Sequence, residues 1–235
     1  SCERVFNPNL NGKPVVVLSN NDGCAISRSD EAKRLGIPMG APIFKYRSII
    51  NQHNVIVLSS NYPLYADMSN RVMTTISNFI PDVEIYSIDE AFLKFEGYEK
   101  YDLFNYASKM RNTILKWTGI PTSVGIAPTK SLAKISNKIA RKFPSQTKHV
   151  YVLDTDYKRS KALNYFPLND IWGIGRRLSK RLQNIGCKNA SDFVNLPEQW
   201  VKSNLSIVEL KIQQELKGIS NCLLYTSPSP RDLST

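Results

Sequence analysis

Two observations predict an α+β protein. Between residues 63 and 154, apolar residues recur at helical spacing and then in short alternating runs. The resulting order is helix, strand, strand, helix, strand, helix, strand. With one further strand upstream, that order contains the βαββαβ pattern of a ferredoxin-like sheet. After residue 165 the texture changes to short helices broken by Gly and Pro, which places a domain boundary there. The 235 residues suit one or two large domains or several small ones, and at 42% apolar they are enough for a packed core, which excludes a disordered or low-complexity chain.

The elements follow in order. Pro14–Leu18 is a β-branched run, and Asn20–Gly23 behind it is a turn signal. Ser27 or Ser29 caps a helix through Glu31–Leu35 that stops at Gly36, with Pro38 beyond. A short helix around 44–50 and a strand over 55–58 come next. Leu64, Met68, Val72, Ile76 and Phe79 give 64–80 an amphipathic helix. Residues 83–88 and 91–95 read as strands, 102–118 as a helix, 122–126 as a strand, 129–143 as a helix and 149–153 as a strand.

Charge narrows the function classes. Thirty-one Lys and Arg against 20 acids give a net charge of +11, which favours a polyanionic partner, with a generally basic soluble protein as the alternative. No window approaches the roughly 18 apolar residues of a membrane span, and the N-terminus carries no secretory apolar region, so a cytoplasmic protein is expected. Cys2, Cys24, Cys187 and Cys222 lack zinc-site spacing and read as reduced thiols. Residues 222–235, with Pro228 and Pro230, read as a non-native tail derived from a sequencing adaptor, and the missing initiator Met suggests an open end at the start as well.

Three segments carry chemistry. Asp89-Glu90 lies between two strands; adjacent carboxylates repel, so they suit a cation that neutralises them, with a solvated acidic turn as the alternative. In the helix after Thr129, residues Lys130, Lys134, Lys138 and Arg141 share one face opposite Leu132, Ile135 and Ile139. No acid intervenes, so a bound phosphate would offset the repulsion; the alternative is a solvated basic face. Trp172-Gly-Ile-Gly175 leads into a helix start with Arg176, Arg177, Lys180 and Arg181, where Gly173 and Gly175 permit close backbone approach and free N–H groups suit a phosphate. Ile185-Gly186 then turns into a second helix near 191–195, so the segment resembles a helix-hairpin-helix that grips DNA backbone; a purely structural turn is the alternative.

Taken in succession, Ser19–Cys24, Ser60–Tyr62 with Tyr65–Arg71, Tyr86–Glu90, Val124–Ile126 with Lys130–Lys134, and Trp172–Gly175 resemble the Y-family translesion DNA polymerases of the UmuC type. The resemblance runs in order over residues 1–221. It implies a right-hand architecture: fingers over 1–62, a ferredoxin-like palm over 63–164 and a helical thumb with the helix-hairpin-helix over 165–221. It also implies Mg²⁺-dependent nucleotidyl transfer from a dNTP to primer-template DNA, past damaged bases in an SOS-type response. Asp89 and Glu90 become metal ligands by resemblance. Lys33 and Arg141 match triphosphate contacts, Arg28 is added to them, and Gly173, Gly175, Arg176, Arg177 and Lys180 match DNA contacts. Asp30 stands where the family often has a Tyr on the triphosphate.

The family's first palm strand, with a further metal-binding Asp and an aromatic that excludes ribonucleotides, falls before Ser1, and its little-finger domain falls after residue 221. The expectation is therefore a destabilised, catalytically incomplete piece of an active parent. A UmuD-type subunit, a recombinase filament and the sliding clamp are the partners implied. Two rival readings stand beside this one: a non-catalytic DNA-binding module, which leaves Asp89-Glu90 without a role, and a nucleotidyl cyclase, which leaves the hairpin motif without one.

Overall fold

The computed structural model describes residues 1–98 and 100–221; the reading of 222–235 as a foreign tail lies outside the described residues. The chain divides into two compact units, Ser1–Thr75 with Trp117–Ile120, and Ile76–Lys116 with the chain from Pro121 onward.

The first unit opens with helix α1 (Cys2–Phe6), followed by β1 (Val15–Leu18), β2 (Ala25–Arg28), α2 (Asp30–Arg34), α3 (Arg47–Gln52), β3 (Ile56–Leu58) and most of α4 (Tyr62–Ser77). Its sheet has the order β2-β1-β3, with β1 antiparallel to β2 and parallel to β3. All four residues of central β1 are buried, as its β-branched run requires, and Ala32, Ile37 and Val55 pack around it. Ser29 is the cap of α2, accepting from the Ala32 N–H, and Gly36 at φ +80° ends the turn after it, a conformation glycine adopts without strain. Strand β2 and helix α1 are additions to the sequence reading: β2 is short and polar on one face, and α1 has no buried residue to mark a period.

One hydrogen bond and one ion pair hold α1. The Tyr65 hydroxyl donates to Glu3 at 2.7 Å, and Arg4 pairs with Glu31 at 2.8 Å. Burial and the neighbouring Glu3 carboxylate push the Tyr65 phenol up to about 12. The Ser29 hydroxyl, the helix-start N–H of Glu31 itself and Arg4 hold the Glu31 carboxyl down at about 2. A depressed carboxyl contributes stability that is present above its unfolded value, near 4.5, and lost as pH falls toward about 2. A carboxyl-carbon NMR titration is expected to follow Glu31 to that low value and to move it upward in Arg4→Met. Titration near 4.5 in both proteins would show that these contacts do not form.

The second unit contains β4 (Val83–Ser87), β5 (Glu90–Leu93), α5 (Leu103–Thr118, its last residues in the first unit), β6 (Val124–Ile126), α6 (Lys130–Lys142), α7 (Pro144–Thr147), β7 (Val150–Val152) and α8 (Asp156–Tyr165). It continues through α9 (Arg176–Asn184), α10 (Ala190–Val194), α11 (Glu198–Asn204) and α12 (Ile207–Leu216). Among the described residues the four strands form two separate ladders, β4–β5 antiparallel and β6–β7 parallel, with no ladder joining them. A ferredoxin-like order would need one more strand between such pairs.

The expected boundaries at 62/63 and 164/165 do not coincide with these units. Most of α4 packs with the first unit, and residues beyond 165 share one core with α6 and β7. That core joins Leu132, Ile135 and Leu153 to Phe166, Leu182 and Phe193. Two polar residues of α12 complete it. Buried Gln213 donates to the carbonyls of Phe193, Val194 and Leu196. Glu215, only 1% exposed, accepts from the N–H and hydroxyl of Ser131 at 2.9 and 2.6 Å, while its carbonyl accepts from Thr129 at 2.8 Å. A carboxylate thus sits on the first turn of α6, where unpaired N–H groups favour negative charge.

Gly125 of β6 lies directly under α6. A Cβ there would sit 2.1 Å from the Asn137 nitrogen and 2.6 Å from the Ala133 oxygen, so only glycine allows this strand and helix to meet. Asn137 and Ser136 fasten the contact through the Ser123 and Tyr151 carbonyls.

Candidate active site

The tip of the β4–β5 hairpin carries the acidic pair. Ser87 pairs with Glu90 across the ladder, leaving Ile88 and Asp89 as the turn. This is a short connection on a hydrogen-bonded base, a rigid place for a carboxylate. Asp89 is exposed and accepts from the Ser87 hydroxyl at 2.7 Å. Glu90 pairs with Lys134 at 2.8 Å. Among the described residues no cluster of three or more His, Cys, Asp or Glu side chains could hold a metal. Two adjacent hard-oxygen donors nevertheless fit a Mg²⁺ site, which commonly takes one or two carboxylates and completes its shell with water and substrate phosphates.

The basic face of α6 has a different occupant from the one its sequence suggests. Lys130 reaches both oxygens of Glu84 at 2.8 and 2.7 Å, Lys134 reaches Glu90, and Lys138 donates to the Asp170 carbonyl at 2.5 Å with the Asp170 carboxylate 3.3 Å away. Acids from β4, β5 and the turn before α9 therefore neutralise three of the four cations. The sequence hides this because the partners lie 46, 44 and 32 residues away. Arg141 is exposed and has no ionic partner among the described residues, which leaves its guanidinium available to an anion.

Around Lys134 the rings of Tyr86, Phe92 and Trp172 stand at 4.5, 5.3 and 5.6 Å from the ammonium. The Trp172 indole N–H donates to the Tyr86 hydroxyl at 3.3 Å. The sequence reading has Lys134 and Trp172 but not this cage; Tyr86 follows Glu84 and Phe92 follows Glu90 at a spacing of two, the signal that could have placed them on one face with the acids.

Gly173 and Gly175 lie between a 3-10 turn at Leu168–Asp170 and α9. Gly173 has φ +87°, and a Cβ there would fall 2.5 Å from Ile212, so its requirement is steric. Gly175 is the N-cap of α9 with open space around it and no side-chain cap bond, so the first-turn N–H groups of α9 keep their donors. Arg176, Arg177 and Lys180 are all exposed on that helix. Gly186, φ +92°, makes the turn toward α10, whose start is a capping box of Asn189 and Asp192.

Lys33 and Arg28 belong to the first unit. Lys33 is exposed and pairs with Asp30 at 2.8 Å, and that hydrogen bond holds the Asp30 carboxyl below the usual range. Arg28 is half-buried and donates to the Ile37 carbonyl at 2.7 Å, so part of its guanidinium is committed to the fold. A cavity of about 980 Å³ in the second unit, walled by Phe104, Phe143, Tyr151 and Tyr165, contains none of the expected site residues. Cys2, Cys24 and Cys187 form no disulfide. Among the described residues no helix is long and apolar enough to cross a membrane.

Comparison with known proteins places this geometry. Protein UmuC of Salmonella typhimurium is 47% identical over 219 residues, 93% of this chain and 52% of the relative. Protein SamB of the same organism is 44% identical over 234 residues, 98% of this chain and 55% of the relative. The chain thus spans about half the length of these curated relatives. Among solved structures, the insertion ternary complex of Dbh DNA polymerase superposes with a TM-score of 0.77 at 29% identity, covering 96% of this chain and 64% of that one. The hairpin carboxylates, the caged lysine and the glycine-led helix thus lie on the scaffold of a Y-family polymerase. The model of the impB/mucB/samB family matches residues 1–138, more than half of the sequence, and the chain belongs to that family.

Proposed function

We propose that this chain is the catalytic portion of an error-prone translesion DNA polymerase. The observation that carries the reading is the Asp89-Glu90 pair at the tip of a two-stranded hairpin, on a fold shared with a DNA polymerase complex. In this reading the 3′-hydroxyl of a primer attacks the α-phosphate of a dNTP and pyrophosphate leaves. Asp89 and Glu90 would hold Mg²⁺, which when bound supplies charge neutralisation at the attacking and leaving oxygens. Arg141, Lys33 and the uncommitted part of Arg28 would bind the triphosphate, positioning it without covalent chemistry by the protein. The Gly173–Gly175 loop and the exposed Arg176, Arg177 and Lys180 would hold duplex backbone through N–H groups and charge, independent of sequence. A damage-response setting with a UmuD-type subunit, a recombinase filament and a sliding clamp belongs to the same proposal.

The test is primer extension by the intact protein on a template with one abasic site, with and without Mg²⁺. Extension across the lesion that requires both template and metal is the expected result. DNA binding without extension, with the UmuD-type subunit present, would overturn the polymerase reading in favour of a binding module.

A further inference from the structure

Lys134 has two kinds of partner at once. Its ammonium is 2.8 Å from a Glu90 oxygen and lies within 4.5–5.6 Å of three ring centroids, contributed by β4, β5 and the loop before α9. Its side chain is 18% exposed, against 47% for Glu90, so the cation is the sheltered member of the pair. Each ring face attracts the ammonium, and the Trp172–Tyr86 hydrogen bond and edge-to-face packing keep the rings together. The cage therefore fixes the lysine, and the lysine fixes the more exposed carboxylate. Lys130 occupies a separate position over Phe92 and is matched to Glu84, so it does not replace Lys134.

We infer that Lys134 is a positioning residue for Glu90. Its caged ammonium holds that carboxylate in one orientation and sets how strongly the acidic pair draws a divalent cation. The inference rests on the reading of Asp89 and Glu90 as metal ligands. A fixed positive charge beside a ligand repels an incoming divalent ion, so the lysine weakens cation binding while it orders the site. Trp172, the residue before the Gly173–Gly175 loop, is one wall of the cage, which links the hairpin helix-start to the acidic pair through side chains in contact.

Mn²⁺ binding to the intact protein, followed by EPR of the free ion without substrate, tests this apart from turnover. Lys134→Met is expected to bind Mn²⁺ about tenfold more tightly than wild type, because the competing cation is gone. Lys134→Gln provides the same charge removal if the Met variant does not fold, and Lys134→Arg is expected to restore wild-type affinity. A merely structural lysine would leave affinity unchanged or weaken it. That outcome, with Asp89→Asn still abolishing Mn²⁺ binding, overturns the inference alone. If Asp89→Asn leaves Mn²⁺ binding intact, the metal role of the pair falls, and the inference falls with it.

Discussion

Gly125→Ala is expected to destabilise the second unit by about 3 kcal/mol or more, a large share of the 5–15 kcal/mol that typically holds a domain together. The added methyl would meet backbone, not a side chain that can swing away: the Asn137 nitrogen at 2.1 Å and the Ala133 oxygen at 2.6 Å. Relief would require lifting α6 from β6, which would stretch the bonds from Asn137 and Ser136 to the strand carbonyls and open the Leu132–Ile135 side of the core. Urea unfolding followed by circular dichroism measures the effect. A midpoint equal to that of the unmodified chain would mean that strand and helix are not in this contact.

Asp89→Asn is expected to separate activity from stability. The carboxylate is exposed and among the described residues accepts from the Ser87 hydroxyl alone, a bond the asparagine carbonyl also accepts. Its thermal midpoint should therefore stay within the small range of surface substitutions, about 0.5 kcal/mol. Loss of the formal charge at the proposed metal site removes several kcal/mol of transition-state stabilisation, so primer extension by the intact protein should fall about 10³-fold or more. Extension at the wild-type rate would remove Asp89 from the chemistry; a large loss of stability would mean that it serves the turn.

Sequence periodicity located the elements whose burial is one-sided. Helices α4, α5 and α6 begin and end within a few residues of expectation because their apolar positions are buried on one side, and the hairpin β4–β5 matches as well although only Phe92 of its residues is buried. Helix α8 left no such mark. It starts at a Thr155 cap and buries only Ala162 and Leu163, so between residues 154 and 165 the apolar signal is too sparse to read. The site was legible in its residue types but not in its pairings. Lys130, Lys134 and Lys138 stood out as a charged face, yet their counter-charges come from residues whose proximity arises only on folding. Gln213 and Glu215 look in sequence like the solvated side of a helix, and both are buried with tertiary partners for the Gln213 amide N–H and one Glu215 oxygen, while the other oxygen of each is buried without a partner among the described residues.

The carboxylate that closes the first turn of α6 has a consequence for synthesis. Ser131 leaves the ribosome 84 residues before Glu215 does. Throughout that interval the nascent helix presents its buried face and its open N–H groups without the residue that finally covers them. The carboxylate contact on the first turn of α6 can therefore form only after α12 has been made, whereas the Thr129 cap of the same turn is local and available from the start. A chain arrested before α12 would hold every lysine of the basic face and still lack the carboxylate that covers the Ser131 N–H.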